Sequence, residues 1–139
     1  MICEIILITA VIVLTIVVLY LYFSRIKEYH SNDIPILKDL KQTLEQIHPA
    51  AKSISLYRGE KSYTINKKKV YLCLKDKDGK YYNNNMLMYV ALHELSHVIC
   101  DEIGHTDKFN RIFDDLLQKA QKMGVYNPSL PLDKNYCEY

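Results

Sequence analysis

No two cysteines in this chain have the close spacing of a metal-binding or redox pair. The four, Cys3, Cys73, Cys100 and Cys137, are scattered. A cysteine-built zinc site therefore cannot be read from spacing. Cys3 sits at the edge of an apolar run, so the remainder of the chain holds an odd number. That fits a reducing compartment better than a disulfide scaffold. An excess of charge is missing too. Lys and Arg number 18 against 16 Asp and Glu, and the net charge of +2 argues neither for nor against nucleic acid. No segment reads as nucleic-acid binding. Internal repeats and low-complexity stretches are absent, so neither a repeat array nor a biased tail is expected.

The N-terminal run lacks charge, Pro and Gly altogether. Ile5 to Phe23 is apolar throughout except for two threonines. As a helix it spans about 28 Å, against a bilayer core of about 30 Å. Tyr20, Tyr22 and Phe23 form an aromatic edge suited to one interface. A cleaved signal peptide would want a basic start, a shorter core and small residues at a cleavage site. Here the chain starts Met1-Ile2-Cys3-Glu4, and bulky residues up to Arg25 follow the core. Residues 1–23 are thus expected to be an uncleaved single-pass anchor, 24–33 a juxtamembrane spacer and 34–139 a folded domain. No Lys or Arg precedes the anchor, whereas Arg25, Lys27, Lys38 and Lys41 follow it. The positive-inside bias then puts the N-terminus outside and the domain in the cytosol.

What is present is a motif, His93-Glu94-Leu95-Ser96-His97. Around it Leu87, Val90, Ala91, Leu95, Val98 and Ile99 recur at helical spacing. His93 and His97 then lie one turn apart on one face, about 6 Å along the axis. Two neutral imidazoles so placed share a metal ion at about 2.0–2.1 Å. Glu94 is rotated by about 100° from His93, beside the metal rather than on it. There it can take a proton from an activated water. This is the His-Glu-x-x-His signature of zinc metallopeptidases. The plain alternative is a surface helix whose two histidines merely stack.

Catalytic zinc normally has three protein ligands and one open position. His105 is the leading third ligand. On a continued helix it would lie about 12 Å beyond His97, so the chain must turn back. Gly104 stands where such a helix would stop. Cys100 is a rival ligand near the same face, although a lone helical Cys is more often a small buried hydrophobe. Asp101 and Glu102 read as a polar helix end. Asp114 or Asp115, on the next helix, would supply the carboxylate of a site with two His and one acid.

Around the motif, Asn32 and Asp33 with Pro35 read as a helix start, and Leu37, Leu40, Leu44 and Ile47 follow at helical spacing up to Pro49. His30 and His48 are expected to be structural or exposed. Ser53–Arg58, Ser62–Ile65 and Val70–Leu74 read as strands, and Lys80 to Tyr82 as a short return strand. Lys67 to Lys69 read as a solvated turn, and Asp76 to Gly79 as a hairpin turn rather than a calcium loop. Val70–Leu74 is the candidate strand for pairing with extended substrate backbone. Asn83 to Asn85 cap the motif helix. Thr106 caps a last helix with an apolar stripe from Phe109 to Ala120, closed by Gly124. The tail from Tyr126 is an irregular strap.

His93 to His97, followed by Gly104-His105-Thr106-Asp107-Lys108-Phe109, resembles the WLM and SprT-like group of zinc metallopeptidases. That group shares a His-Glu-Leu-x-His helix, a third His a short turn later and an aromatic residue opening the next helix. The resemblance covers about residues 35 to 123, and its specific part is 93 to 109. The metzincin pattern does not fit, because Ile103 occupies the position of its third His. The resemblance implies a zincin-like domain, Zn2+ held by His93, His97 and His105, Glu94 as general base, and a protein or peptide substrate. The group often acts on proteins crosslinked to DNA; a membrane anchor departs from that setting, so the substrate is not carried over. Small membrane-anchored versions also look like products of large DNA viruses. The Lys-, Asn-, Ile- and Tyr-rich composition permits that origin, and with it a host or virion membrane.

The expected architecture is α+β: one transmembrane helix, then a helix, a short antiparallel or mixed sheet, the zinc helix and a C-terminal helix. The expected function is a membrane-anchored zinc metalloendopeptidase. The rival is a non-catalytic membrane-anchored interaction or assembly protein, with a structural zinc site or none. A four-ligand site including Cys100 would favour the rival. Twelve tyrosines are candidates to stabilise an oxyanion, and the sequence singles out none.

Overall fold

The computed structural model describes residues 1–29 and 35–137. Helix α1 runs from Ile2 to Tyr29, and its Ile2–Phe23 part is long and apolar enough to cross a membrane. Inside that stretch the two threonine hydroxyls are satisfied within the helix. Thr9 donates to the Ile6 carbonyl at 2.9 Å and Thr15 to that of Ile12 at 2.8 Å, as a lipid environment requires. The helix continues through residues 24–29, the first part of the expected spacer. The rest of that spacer, with His30 and the Asn32-Asp33 cap, lies outside the described residues.

The second unit is α+β, with three helices and a mixed three-stranded sheet. Helix α2, Pro35–Ile47, opens on the proline and buries Leu37, Leu40, Leu44 and Ile47. A 3-10 turn, Pro49–Ser53, follows, capped by His48, whose Nδ1 accepts from the Ala50 N–H at 3.1 Å. Lys41 braces this corner, donating to the Ala51 carbonyl and, at 2.7 Å, to that of Ile54.

Strands β1 (Ser55–Arg58), β2 (Tyr63–Ile65) and β3 (Lys69–Leu72) stand in the order β1-β3-β2. β1 pairs parallel and β2 antiparallel with β3. The turn joining β2 to β3 uses Asn66 and Lys67 at φ 50° and 55°, the double positive φ of a tight type I′ hairpin. This overturns one expectation. The Val70–Leu74 segment is central and paired on both sides, so its backbone has no groups left for a substrate. β1 and β2 are the two edge strands, and β2 is the one beside the motif helix's Glu94. The return strand near Lys80 shrinks to a single bridge between Lys75 and Tyr81. Asp76 instead folds its own loop, accepting from the Asp78 and Lys80 N–H groups at 3.0 and 2.9 Å.

The sheet packs one face on α2 and α3, while Tyr57, Tyr71 and Tyr63 stack across its other face with centroids 5.1 and 4.7 Å apart. Helix α3, Asn84–Ile99, is capped by the Asn83 side chain at the Met86 N–H. Its Leu87, Ala91, Leu92 and Leu95 are buried in the centre of the core. Helix α4, Asp107–Lys122, starts at a Thr106 cap and lays Phe109, Phe113, Leu116 and Ala120 against α3. Gly124, at φ 73°, terminates it, the left-handed position that favours glycine.

The cysteine expectation is also corrected. Cys73 and Cys137 form a disulfide across a separation of 64 residues, with Cα atoms 6.4 Å apart. The odd count misled because Cys100 is a free cysteine sealed in the core. Parity reports pairing only when no cysteine is spent as a small hydrophobe.

Candidate metal centre

Three imidazoles converge at the C-terminal end of α3. His93 and His97 stand one turn apart with ring centroids 5.0 Å apart. His105 closes a nearly equilateral triangle, 4.9 Å from His93 and 5.0 Å from His97. One ring nitrogen from each lies within 4.8 Å of the others. The Nε2 atoms of His105 and His93 are 3.0 Å apart. Three imidazole nitrogens so gathered could hold a metal ion.

The chain around His105 explains the convergence. Helix α3 stops at Ile99, earlier than the Gly104 stop expected, because Cys100 adopts an extended conformation at φ −69°, ψ 127°. Its N–H still bonds to the Ser96 carbonyl at 2.8 Å. Lys67, from the hairpin tip, donates to the Cys100 carbonyl and so meets the negative end of the helix. The segment 101–105 then folds back, with Gly104 at φ 85° immediately before His105. Phe109 lies against all three rings, with centroids 5.0, 4.4 and 4.8 Å from those of His93, His97 and His105. An aromatic residue opening α4 thus backs the cluster.

Burial holds the His93 pKa down at about 4, helped by His97 and His105. The same causes, burial first and then His105, lower that of His97. Both rings are therefore neutral near pH 7, the form that ligates a metal. Glu94 is only 5 % exposed. Thr64 of β2 donates to its Oε2 at 2.7 Å. Burial raises the Glu94 pKa, and the Thr64 bond opposes this. A carboxylate so placed is a stronger base than a surface one.

The remaining ligand candidates are elsewhere. Cys100 faces the core. Asp101 pairs with Lys108 at 2.6 Å, and Glu102 accepts from the Thr106 hydroxyl. Asp114 and Asp115 are exposed on α4, the latter paired with Lys119 at 2.6 Å.

Two cavities meet at the cluster. One, of about 590 Å³, runs between the β2 edge and the 101–105 turn and reaches His93, His97 and His105. The other, of about 620 Å³, lies toward the start of α3. Ser62, His93 and Glu94 line both. Sequence reasoning missed Thr64, Ser62 and Tyr136. Period-two alternation puts Thr64 on the inner face of β2, but no local signal aims it at Glu94.

No family model matches the sequence, and no solved structure matches it. Curated relatives are viral. The chain is 53% identical over 87 residues to uncharacterized protein 136R of Invertebrate iridescent virus 6, covering 60% of this chain and 49% of that protein. It is 46% identical over 86 residues to uncharacterized protein 042R of Invertebrate iridescent virus 3, covering 61% and 54%. It is 34% identical over 110 residues to uncharacterized protein R325 of Acanthamoeba polyphaga mimivirus, covering 74% and 56%. The chain spans about half the length of the curated relatives it matches.

Proposed function

We propose that this chain is a membrane-anchored zinc-dependent metallopeptidase of the WLM/SprT-like type. One observation carries the reading: a buried carboxylate, Glu94, is held by Thr64 next to a three-imidazole cluster that opens onto two cavities. His93, His97 and His105 would hold the ion. When bound, zinc supplies a Lewis acid that polarises a carbonyl and brings the pKa of a water toward about 7. Glu94 takes the proton of the attacking water and passes it to the leaving amine nitrogen. Thr64 orients the Glu94 carboxylate through the 2.7 Å bond, and Glu94 lines both cavities. β2, an outer strand of the sheet, lines one cavity and lies where an extended peptide would run. Pairing there would select for backbone rather than sequence.

Two further observations support the setting. Basic residues follow the apolar span and none precedes it, which favours a cytosolic domain. The disulfide turns the cysteine argument the other way, toward an oxidising compartment, so the cytosolic side rests on charge alone. The viral relatives support a host or virion membrane. A closed four-ligand site with Cys100 would have favoured the non-catalytic rival, and that thiol is in the core instead.

The test uses the full chain in detergent micelles. Wild type and Glu94→Gln should each carry about one zinc, a stoichiometry expected of a three-His site. Hydrolysis of unfolded casein should fall at least about 100-fold in the variant. Hydrolysis at the wild-type rate would end the reading.

A further inference from the structure

We infer that the cavity beside Glu94, toward the start of α3, is a pocket for a large apolar side chain flanking the cleaved bond, walled by the disulfide-pinned C-terminal segment. This rests on the peptidase reading above and adds a substrate preference to it. Met86, Tyr89 and Val90 line the pocket from α3, and Tyr136 and Cys137 from the C-terminal segment. At about 620 Å³ it accommodates a Phe or Leu side chain with room for adjoining backbone.

The hydroxyls of Ser62 and Tyr136 on the pocket wall are already engaged with each other and with Cys73. Tyr136 donates its hydroxyl proton to the Cys73 carbonyl at 2.6 Å. Ser62 therefore donates to the Tyr136 oxygen at 2.7 Å. The Cys73 N–H in turn donates to Ser62 Oγ at 3.0 Å. Three groups close a ring of hydrogen bonds, and among the described residues no buried side-chain N or O lacks a partner. Lys61, also lining the pocket, is exposed and keeps its charge in water. Against the Met86, Tyr89, Val90 and Tyr136 wall a polar side chain would lose water and find Ser62 and Tyr136 already engaged, whereas an apolar one gains by burial.

The wall depends on the tie at its end. The segment from Pro131 to Cys137 belongs to no helix or strand. Cys137 is bonded covalently to Cys73, just past β3, and its N–H donates to the Tyr82 hydroxyl at 3.0 Å. The Tyr136 ring packs on Tyr82 at 4.8 Å. Without the bridge, Tyr136 keeps its place by hydrogen bonds and one ring contact.

Two zinc-binding probes separate pocket from metal: acetohydroxamate, and a hydroxamate carrying a benzyl side chain. On the zinc-loaded full chain in micelles, the benzyl probe should bind about ten- to a hundredfold tighter. The double variant Cys73→Ala/Cys137→Ala should erase most of that advantage and leave acetohydroxamate affinity unchanged. Tyr136→Ala, with the bridge intact, should do the same, and it decides the matter if the bridgeless chain does not fold. Equal affinity of the two probes in the wild type would overturn the pocket while the metal site stands. A preference that survives Tyr136→Ala would overturn the wall. Failure of both probes to bind would remove the zinc site, and the pocket with it.

Discussion

Thr64 and Glu94 are joined twice: the threonine hydroxyl lies 2.7 Å from the carboxylate Oε2 and 3.3 Å from the glutamate's own backbone carbonyl. One edge-strand side chain thus fixes both the carboxylate and the helix turn that carries it. Thr64→Val keeps the shape and removes the hydroxyl. The expected result is unchanged zinc content, a tenfold or greater fall in hydrolysis, and a stability loss of about 1–3 kcal/mol from the buried carboxylate left without its donor. Thr64→Ser should retain most activity. Metal analysis beside urea unfolding checks both parts, and full activity in Thr64→Val would show that Glu94 needs no such anchor.

Gly104 precedes His105 at φ 85°, and a Cβ there would touch nothing within 4 Å. The constraint is therefore conformational rather than spatial. Gly104→Ala should cost about 1 kcal/mol through left-handed strain. The exposed turn relaxes this strain when no metal holds His105, so zinc affinity should fall about fivefold while the melting temperature of the metal-free chain changes little. A competition titration with a chromogenic chelator reads the first quantity directly.

Chelation should leave the fold standing. The core is built from α2, the sheet, α3 and α4, and the three histidines are not among its buried residues. Removing metal should abolish hydrolysis and lower the melting temperature by the linkage of a lost ligand, with far-UV circular dichroism unchanged. Collapse of the helical signal on chelation would mark the ion as a structural staple and favour the non-catalytic reading.

Tyr136 supplies an alkaline prediction. Burial, the largest cause, pushes its pKa up to about 12; the Ser62 bond opposes this, and Tyr82 and Glu94 add to it. In the unfolded chain the phenol ionises near about 10. The folded form thus holds its proton where the unfolded form has lost it. The resulting stability is present below about pH 10 and disappears as pH rises through 10 toward 12. Tyr136→Phe should flatten that part of the stability–pH curve, measured by chemical denaturation at several pH values.

The parts of this molecule written in short-range pattern were legible in its sequence. The α2 stripe from Leu37 to Ile47, the α4 stripe ending at Gly124 and the apolar run of α1 all follow from periodicity and punctuation. The pairing of His93 with His97 needed only the helical repeat. What stayed hidden depends on contacts distant in the chain. Strand order put Val70 in the middle of the sheet and Tyr63 at its edge, and no local signal distinguishes the two. Helix α3 ended at Ile99 because Cys100 turned extended, not because a glycine called for it. The Cys73–Cys137 bridge joins residues that only the folded C-terminal segment brings together.

That bridge also changes what a backbone cut would do. Its 64-residue separation encloses His93, Glu94, His97 and His105. A nick in the exposed 101–105 turn would sever the chain between the second and third imidazoles. The two fragments would nevertheless remain one covalent molecule, migrating as a single band until reduced. The cluster would then be held by a tether rather than by a continuous main chain. The domain would in this way survive a break at an exposed point between two of its three clustered histidines.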